Sequence, residues 1–386
     1  MPRIVIVLAL FCLSAAAPAG AAQPRWLGGK PFKLTADHNA KKPNVAVDAA
    51  GTGHFAWDVN RSGDDPLVYC RVPRGARACQ HQTTISLPLE SFGEPQVLMV
   101  GTAVVLIAHR CCGPGEGTYA VVSTDGGTTF AAPRVIGGIE PGQAVAWPGT
   151  DVVALADDVV TAGVSFQAAS LSGLPATASA HVGEGVSQDY DGTIGFAGQT
   201  TPLVAFDDLH HGFWRMWSGA GDVNDVASWG QTQSLGALTE LRMATGPAGV
   251  VLMAKRHFSH PFSDQYVARR YDPTTGSFKP AVALSSTAVE DDVIFRDVFE
   301  DPGGHVEAVW IANGTHGGRT DPIRIRVSGH GGTTWRAERT LVRATHDTGF
   351  NLQAGAAADG GGFVTYDGND AGPLWAVPIP KLSAQH

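Results

Sequence analysis

Short apolar runs alternate with Gly-, Asn- and Asp-rich turns along nearly the whole chain. The clearest unit is NVAVDAAGTGHFAWD at residues 44–58, in which an apolar strand, a tight Gly-bearing turn and a second apolar strand end in Trp57 and Asp58. Pairs of the same shape recur at 96–109 (QVLMVGTAVVLIAH), 154–167 (ALADDVVTAGVSFQ), 193–207 (TIGFAGQTTPLVAFD), 241–255 (LRMATGPAGVVLMAK), 295–313 (FRDVFEDPGGHVEAVWIAN) and 352–367 (LQAGAAADGGGFVTYD). After most pairs come a third strand, such as PLVYCRVP at 66–73, and a fourth, such as TTISLPL at 83–89. The periodicity is that of strands, and no segment carries a convincing helical period.

Residues 1–22 read as an export signal: Arg3 supplies a positive start, 4–17 an apolar run, and 18–22 a proline followed by small residues suited to cleavage. The apolar run is shorter than the ~20 residues that span a bilayer, and no later segment is long enough, so no membrane insertion is expected. Cys12 follows the bulky Phe11, which argues against lipid anchoring. Seven repeats divide the remaining residues, 23–386, into units of about 52, the size of a propeller blade. The predicted fold is therefore all-β: one seven-bladed β-propeller domain with four antiparallel strands per blade, six blades being the alternative. The last repeat has only three evident strands, ending in PLWAVPIP at 373–380, while KPFKLT at 30–35 has no partner near it. That N-terminal strand is expected to close the last blade and so remove an exposed sheet edge.

Composition narrows the function. With 27 Lys and Arg against 36 Asp and Glu, the net charge of −9 excludes a general nucleic-acid binder. The 48 Gly and 24 Pro punctuate structure rather than signal disorder, because hydrophobic residues still make up 44% of the chain. Four cysteines remain after export. Cys70 and Cys79 flank a turn around Pro73 to Ala76 symmetrically, which predicts a disulfide between third and fourth strands. Cys111 and Cys112 are adjacent, leaving open a vicinal disulfide or two thiols. No Cys/His spacing suits zinc, and the pairs Asp207-Asp208 and Asp291-Asp292 lack calcium-loop spacing, so no metal and no cofactor are expected.

In the second repeat the turn Ser123-Thr124-Asp125-Gly126-Gly127-Thr128-Thr129-Phe130 resembles the Asp-box, or bacterial neuraminidase repeat, S-x-D-x-G-x-T-W/F. A degraded copy at 328–335 has His330 in place of the aspartate, and 272–278 is a looser echo. Asp125 is expected to accept turn N–H bonds, Gly127 to supply positive φ, and Phe130 to tuck between strands of its own blade. The chain thus resembles secreted sialidase-like propellers, in which such boxes lie on the face opposite the active site. The segment 69–73 is similar to that family's arginine-bearing F/Y-R-I-P stretch, but Cys70 interrupts it and it reads as a third strand with an exposed Arg71.

The second strand of each repeat delivers a polar residue to one rim: Asp58, His109, Gln167, Asp207, Lys255, Asn313 and Asp367. Arg61, Arg110, His210, His211, Arg256, His257, His260, His316 and Arg319 follow in the adjoining loops. A strand end entering solvent is polar in any case, but this gathering of His and Arg predicts a binding face at the channel mouth. Its expected occupant is a glycan or other small polar ligand, neutral or anionic, held by His109, Arg110, Lys255, Arg256, Arg296, Asn313 and Asp367, since sugars need both donors and acceptors and a carboxylate needs a guanidinium. The alternative is a glycosidase of the exo-α-sialidase type, with the arginines gripping a carboxylate, Asp58 or Asp207 as acid/base and Tyr366 as nucleophile. A secreted monomer is expected.

Overall fold

The computed structural model describes residues 29–60, 66–87, 95–110, 115–157, 163–183, 192–208, 210–259, 262–285, 296–311, 322–342, 351–367 and 373–381, leaving aside the side chains of 258–259 and 262–263. Its strands form seven antiparallel sheets arranged as the blades of a propeller. Blade 1 comprises β2 (Ala40–Val47), β3 (Gly53–Val59), β4 (Leu67–Val72) and β5 (His81–Ile85), and blade 2 comprises β6 (Gln96–Val100), β7 (Ala103–Arg110), β8 (Gly117–Ser123) and β9 (Arg134–Gly137). Blade 3 holds β10 (Pro141–Ala146), β11 (Val152–Asp157), β12 (Ser165–Ser170) and β13 (Ala180–His181). Blade 4 holds β14 (Thr193–Ala197), β15 (Thr201–Asp207), β16 (Gly212–Met216) and β17 (Gln233–Gly236). Blade 5 is the largest, with β18 (Leu238–Gly246), β19 (Gly249–Ser259), β20 (Phe262–Asp272) and the short β21 (Ser277–Phe278) and β22 (Val282–Ala283). Blade 6 holds β23 (Arg296–Glu300), β24 (Val306–Ile311), β25 (Ile323–Ser328) and β26 (Arg339–Val342). Blade 7 unites β27 (Gln353–Ala356), β28 (Gly362–Asp367) and β29 (Leu374–Ile379) with the N-terminal strand β1 (Phe32–Thr35). Helix among the described residues is one 3-10 turn, Val226–Ser228.

Alternation along the strands explains the ring. In β3, Phe55, Trp57 and Val59 face blade 7 while Ala56 faces blade 2. In β7, Val104, Leu106 and Ala108 face blade 1 while Val105 and Ile107 face blade 3. A second strand is therefore apolar on both faces, which is why it reads as a continuous hydrophobic run. Among the described residues the buried side chains group into seven clusters, one for each contact between neighbouring blades. This match between clusters and interfaces fixes the blade number at seven.

The first strands carry a polar device as well. Asn44 Oδ1 accepts the Val97 N–H (2.9 Å), Gln143 Oε1 accepts that of Ile194 (2.7 Å), Thr193 Oγ1 that of Met243 (2.7 Å) and Asp297 Oδ2 that of Ala354 (2.7 Å). Each time a side chain on one innermost strand satisfies a backbone donor on the next, a donor with no strand of its own to pair with.

One repeat sits differently from expectation. Residues 154–167 are the second and third strands of blade 3, with Leu155 opposite Gln167, and the first strand is β10. Blade 3 therefore sends Asp157 to the rim, and Gln167 lies on the third strand, where its amide accepts the Gly138 N–H and donates to Ala178 O. The Cys70–Cys79 disulfide is present, although Cys79 lies in the turn before β5, whose His81 and Gln82 pair with Arg71 and Cys70.

The Asp-box forms as its residues dictate. Asp125 Oδ1 accepts the N–H groups of Thr128 (3.0 Å) and Thr129 (2.9 Å), Oδ2 accepts the Thr129 hydroxyl (2.7 Å), and the Ser123 hydroxyl takes the Gly127 N–H (2.8 Å). These bonds hold the Asp125 carboxyl well below its ordinary range. Gly127, at φ 82°, lies against the Tyr69 ring of blade 1, where any Cβ would collide with the phenol. Phe130 also packs on Tyr69, with ring centroids 4.7 Å apart, so it seals the joint to the preceding blade rather than its own strands. Arg71 is half-buried, not exposed, and donates to Gly126 O (3.1 Å). The degraded box repeats this joint: Trp335 packs on the blade 5–6 cluster, and Arg270 of blade 5 donates to Thr333 Oγ1 (3.0 Å). Asp125→Asn is expected to lower the melting temperature without altering any affinity at the opposite face, as thermal scans beside binding titrations would show.

Candidate functional site

Second strands end, and first strands begin, on the face opposite the boxes. Several expected rim residues lie outside the described residues: Asn313, Cys111, Cys112, Arg61, His260, His316, Arg319, Asp291 and Asp292. The others are placed.

Asp58, His109, Asp207 and Asp367 are buried at or next to the ends of their strands, whereas Lys255 is buried within β19, which runs on to Ser259 instead of ending there as expected. His109 Nδ1 meets Thr118 Oγ1 at 3.2 Å, and burial lowers its pKa, favouring a neutral imidazole. Asp367 accepts the Asn351 N–H (3.1 Å) and side-chain amide (2.6 Å) within blade 7. Asp157 accepts the Ser165 N–H (2.7 Å), and burial pushes its carboxyl up to about 6. Arg110 is half-buried, its guanidinium lying over Gly115. Arg256 follows Lys255 on β19 and so points to the other face of the sheet, where its charge acts on Arg269. Tyr366 packs in the blade 6–7 cluster, and desolvation raises its phenol well above the ordinary value.

Among the described residues, blades 4, 5 and 6 join expected residues into one network, and Glu240 is its hub. Glu240 and Leu241 lie in a β-bulge where the β18–β19 register shifts, and Glu240 takes the left-handed φ of 51°. Its N–H donates to Asp207 Oδ2 (2.8 Å), tying blade 5 to blade 4. Its two carboxylate oxygens diverge: Oε1 meets Lys255 Nζ at 3.1 Å, and Oε2 meets Arg296 Nη1, from blade 6, at 2.7 Å. Lys255 also contacts Asp264 Oδ2 at 2.7 Å. The other Asp264 oxygen holds His257 Nδ1 at 2.6 Å, and His257 Nε2 reaches Thr239 Oγ1 at 3.1 Å. Burial alone would depress the Lys255 ammonium, but Glu240 and Asp264 outweigh it and hold the pKa above its usual value.

The side-chain exposures grade outward: Arg296 is 4% and Lys255 6% exposed, Asp264 18%, Glu240 28% and His257 48%. Buried cations thus lie beneath acceptors and an imidazole that solvent reaches, an arrangement able to exchange hydrogen bonds with a polar ligand. Glu240, Asp264 and Asp157 were not singled out by sequence. Glu240 follows Thr239 where an apolar strand begins and looks like ordinary strand-end polarity, while Asp157 was hidden by the slipped register of blade 3. Among the described residues no group of three or more His, Cys, Asp or Glu side chains is placed to hold a metal ion.

No family model matches the sequence, and no curated protein matches it. Solved structures share its fold. A mutant of the NanB sialidase from Streptococcus pneumoniae aligns at 7% identity over 74% of this chain and 68% of its own, with a TM-score of 0.50. The Penicillium chrysogenum α-L-arabinanase, solved with arabinobiose, aligns at 12% identity over 92% and 99%, with a TM-score of 0.52. The hydrazine synthase of Kuenenia stuttgartiensis aligns at 11% identity over 94% and 98%, with a TM-score of 0.54. Such different chemistries on one architecture establish the fold and leave function to the site.

Proposed function

We propose that this protein is an exported, monomeric glycan-binding propeller whose contact face is the rim of blades 4 to 6. One observation carries the reading: Asp207, Glu240, Lys255, Asp264 and His257 form a connected set of donors and acceptors across two blades, graded from buried to solvent-exposed. Sugars present hydroxyls that donate and accept, and a prebuilt network of both kinds binds them with little reorganisation. The sialidase and the arabinanase lend support as glycan-active proteins on the same fold. The disulfide suits an oxidising compartment, and no helix among the described residues is long and apolar enough to cross a membrane.

The test is a panel of oligosaccharides followed by calorimetry on variants. Asp207→Ala and His257→Ala are each expected to weaken binding about tenfold, about 1.4 kcal/mol, with the fold retained. Mapping the ligand to the face bearing Ser123 to Phe130 would refute the assignment. Asp157 favours a second reading as a glycosidase, because a rim carboxyl raised to about 6 suits a general acid. Turnover of fluorogenic glycosides abolished by Asp157→Asn would support that reading over simple binding.

A further inference from the structure

Glu240 is an unusual choice for its position. The left-handed region is sterically unfavourable for a non-glycine residue and is entered most readily by Gly or Asn. Blade 1 has an equivalent bulge in its first strand, occupied by Lys42 at φ 52°. The backbone there tolerates a lysine as well as a glutamate, so the reason for a carboxylate at 240 lies in what its side chain touches.

It touches two cations at once. Lys255 and Arg296 are almost wholly withdrawn from water, where a charge-assisted bond is stronger than at the surface, and each takes a different oxygen of the same carboxylate. We propose that Glu240 is an internal stand-in for an anionic group of the ligand, a carboxylate, which displaces it and bridges Lys255 and Arg296 in its place. The inference rests on the glycan-binding reading and specifies the ligand as an acidic sugar.

The parts needed for displacement are present. The Glu240 side chain is more exposed than either cation, so it can swing into solvent without unpacking the core. Its backbone stays fixed, because the N–H remains bonded to Asp207. Lys255 stays aimed, because Asp264 holds it from the other side. An incoming carboxylate therefore meets two preoriented donors, and the opposing term is the lost ion pairing of Glu240. A neutral sugar gains nothing from the exchange and binds with Glu240 in place.

Methyl β-glucuronide and methyl β-glucoside, which differ by a carboxylate against a hydroxymethyl group, separate these cases. Each is titrated by calorimetry and by NMR into the wild-type protein, Glu240→Gln and Glu240→Gly, the glycine variant relaxing the left-handed backbone and so preserving the fold. Both variants are expected to bind the glucuronide at least tenfold more tightly than wild type, with the glucoside affinity changed less than twofold and the Lys255 side-chain resonance shifted by the glucuronide. Unchanged or weaker glucuronide binding in both variants, with the glucoside still bound by wild type, overturns the stand-in role and leaves the glycan reading intact. If neither glycoside binds any of the three proteins, acetate decides: a Lys255 shift confined to the variants upholds the displaceable carboxylate while the glycan reading falls, and no shift overturns the proposal.

Discussion

A chain that begins after residue 36 is expected to aggregate and to lose most of its thermal stability. β1 pairs with β29, Phe32 opposite Ala376 and Lys33 opposite Trp375, and supplies Phe32 and Leu34 to the cluster between blades 7 and 1. Withdrawing two such side chains removes about 1.5–3 kcal/mol each, a large share of the 5–15 kcal/mol that holds an ordinary domain together. It also strips the outer edge of β29 and leaves a template for strands of other molecules. The Arg74 guanidinium on Asp359 (2.7 and 3.0 Å), whose carboxylate also holds Lys381 of its own blade (2.9 Å), would still link the last blade to the first, but at the surface, where ion pairs contribute little. Light scattering and thermal melting check this, and an unchanged particle size with an unchanged melting temperature would show that the ring closes without β1.

Stability is expected to peak near pH 5 and decline toward pH 8, with Glu307 as a principal cause. Glu307 lies fully buried on β24, between Phe299 and Val327 in the ladder, and neither carboxylate oxygen has a hydrogen-bond partner among the described residues. Burial, reinforced by the charge of Asp301, raises its pKa well above 4.5, while His305 occupies the Asp301 carboxylate at 2.9 Å. Burial likewise lifts Glu300, beside Arg270 and Asp301, and Asp297, beside Arg242 and Arg296, each to about 7. For groups raised in the folded state, the unfolded chain releases its proton first. The stabilisation is whole below the unfolded value and is lost as pH rises toward the folded one, by up to about 1.4 kcal/mol per pH unit for each group. Asp125 and Asp359 shift the other way, so their stabilisation is lost only as pH falls through the ordinary carboxylate range. Glu307→Leu is expected to flatten the alkaline limb and to add about 2 kcal/mol at pH 8 by removing an unpaired buried polar group. Denaturation at pH 5 and pH 8 tests this, and parallel pH profiles for variant and wild type would exonerate Glu307.

The fold was legible because a propeller's second strands are sandwiched on both sides: GHFAWDV in β3 and VVLIAH within β7 leave little room for another reading. Blade 3 slipped by one strand for the converse reason. Its first strand, PGQAVA, buries only Pro141 and Ala144, so the pair of strands that follows it looked like the inner pair. Individual rim residues such as Asp58 and Asp207 could be read from strand ends. Their partners could not, because the bond from Glu240 to Arg296 spans 56 residues and depends on a one-residue bulge that no local pattern announces. The joint made by Phe130 and Tyr69 escaped for the same reason, being a contact between blades rather than within one.

The division of the buried side chains into seven separate inter-blade clusters bears on where the chain can be cut. No central core depends on one blade being first. The described chain starts and finishes on adjacent strands of the same sheet, so a short linker could join its ends. New termini opened in a turn on the Asp-box face, such as that between Gly149 and Asp151, would keep all seven clusters and change only which strand arrives last. Order along the polypeptide and order around the circle are therefore separable in this protein, and a permuted chain should reach the same ring by a different sequence of folding events.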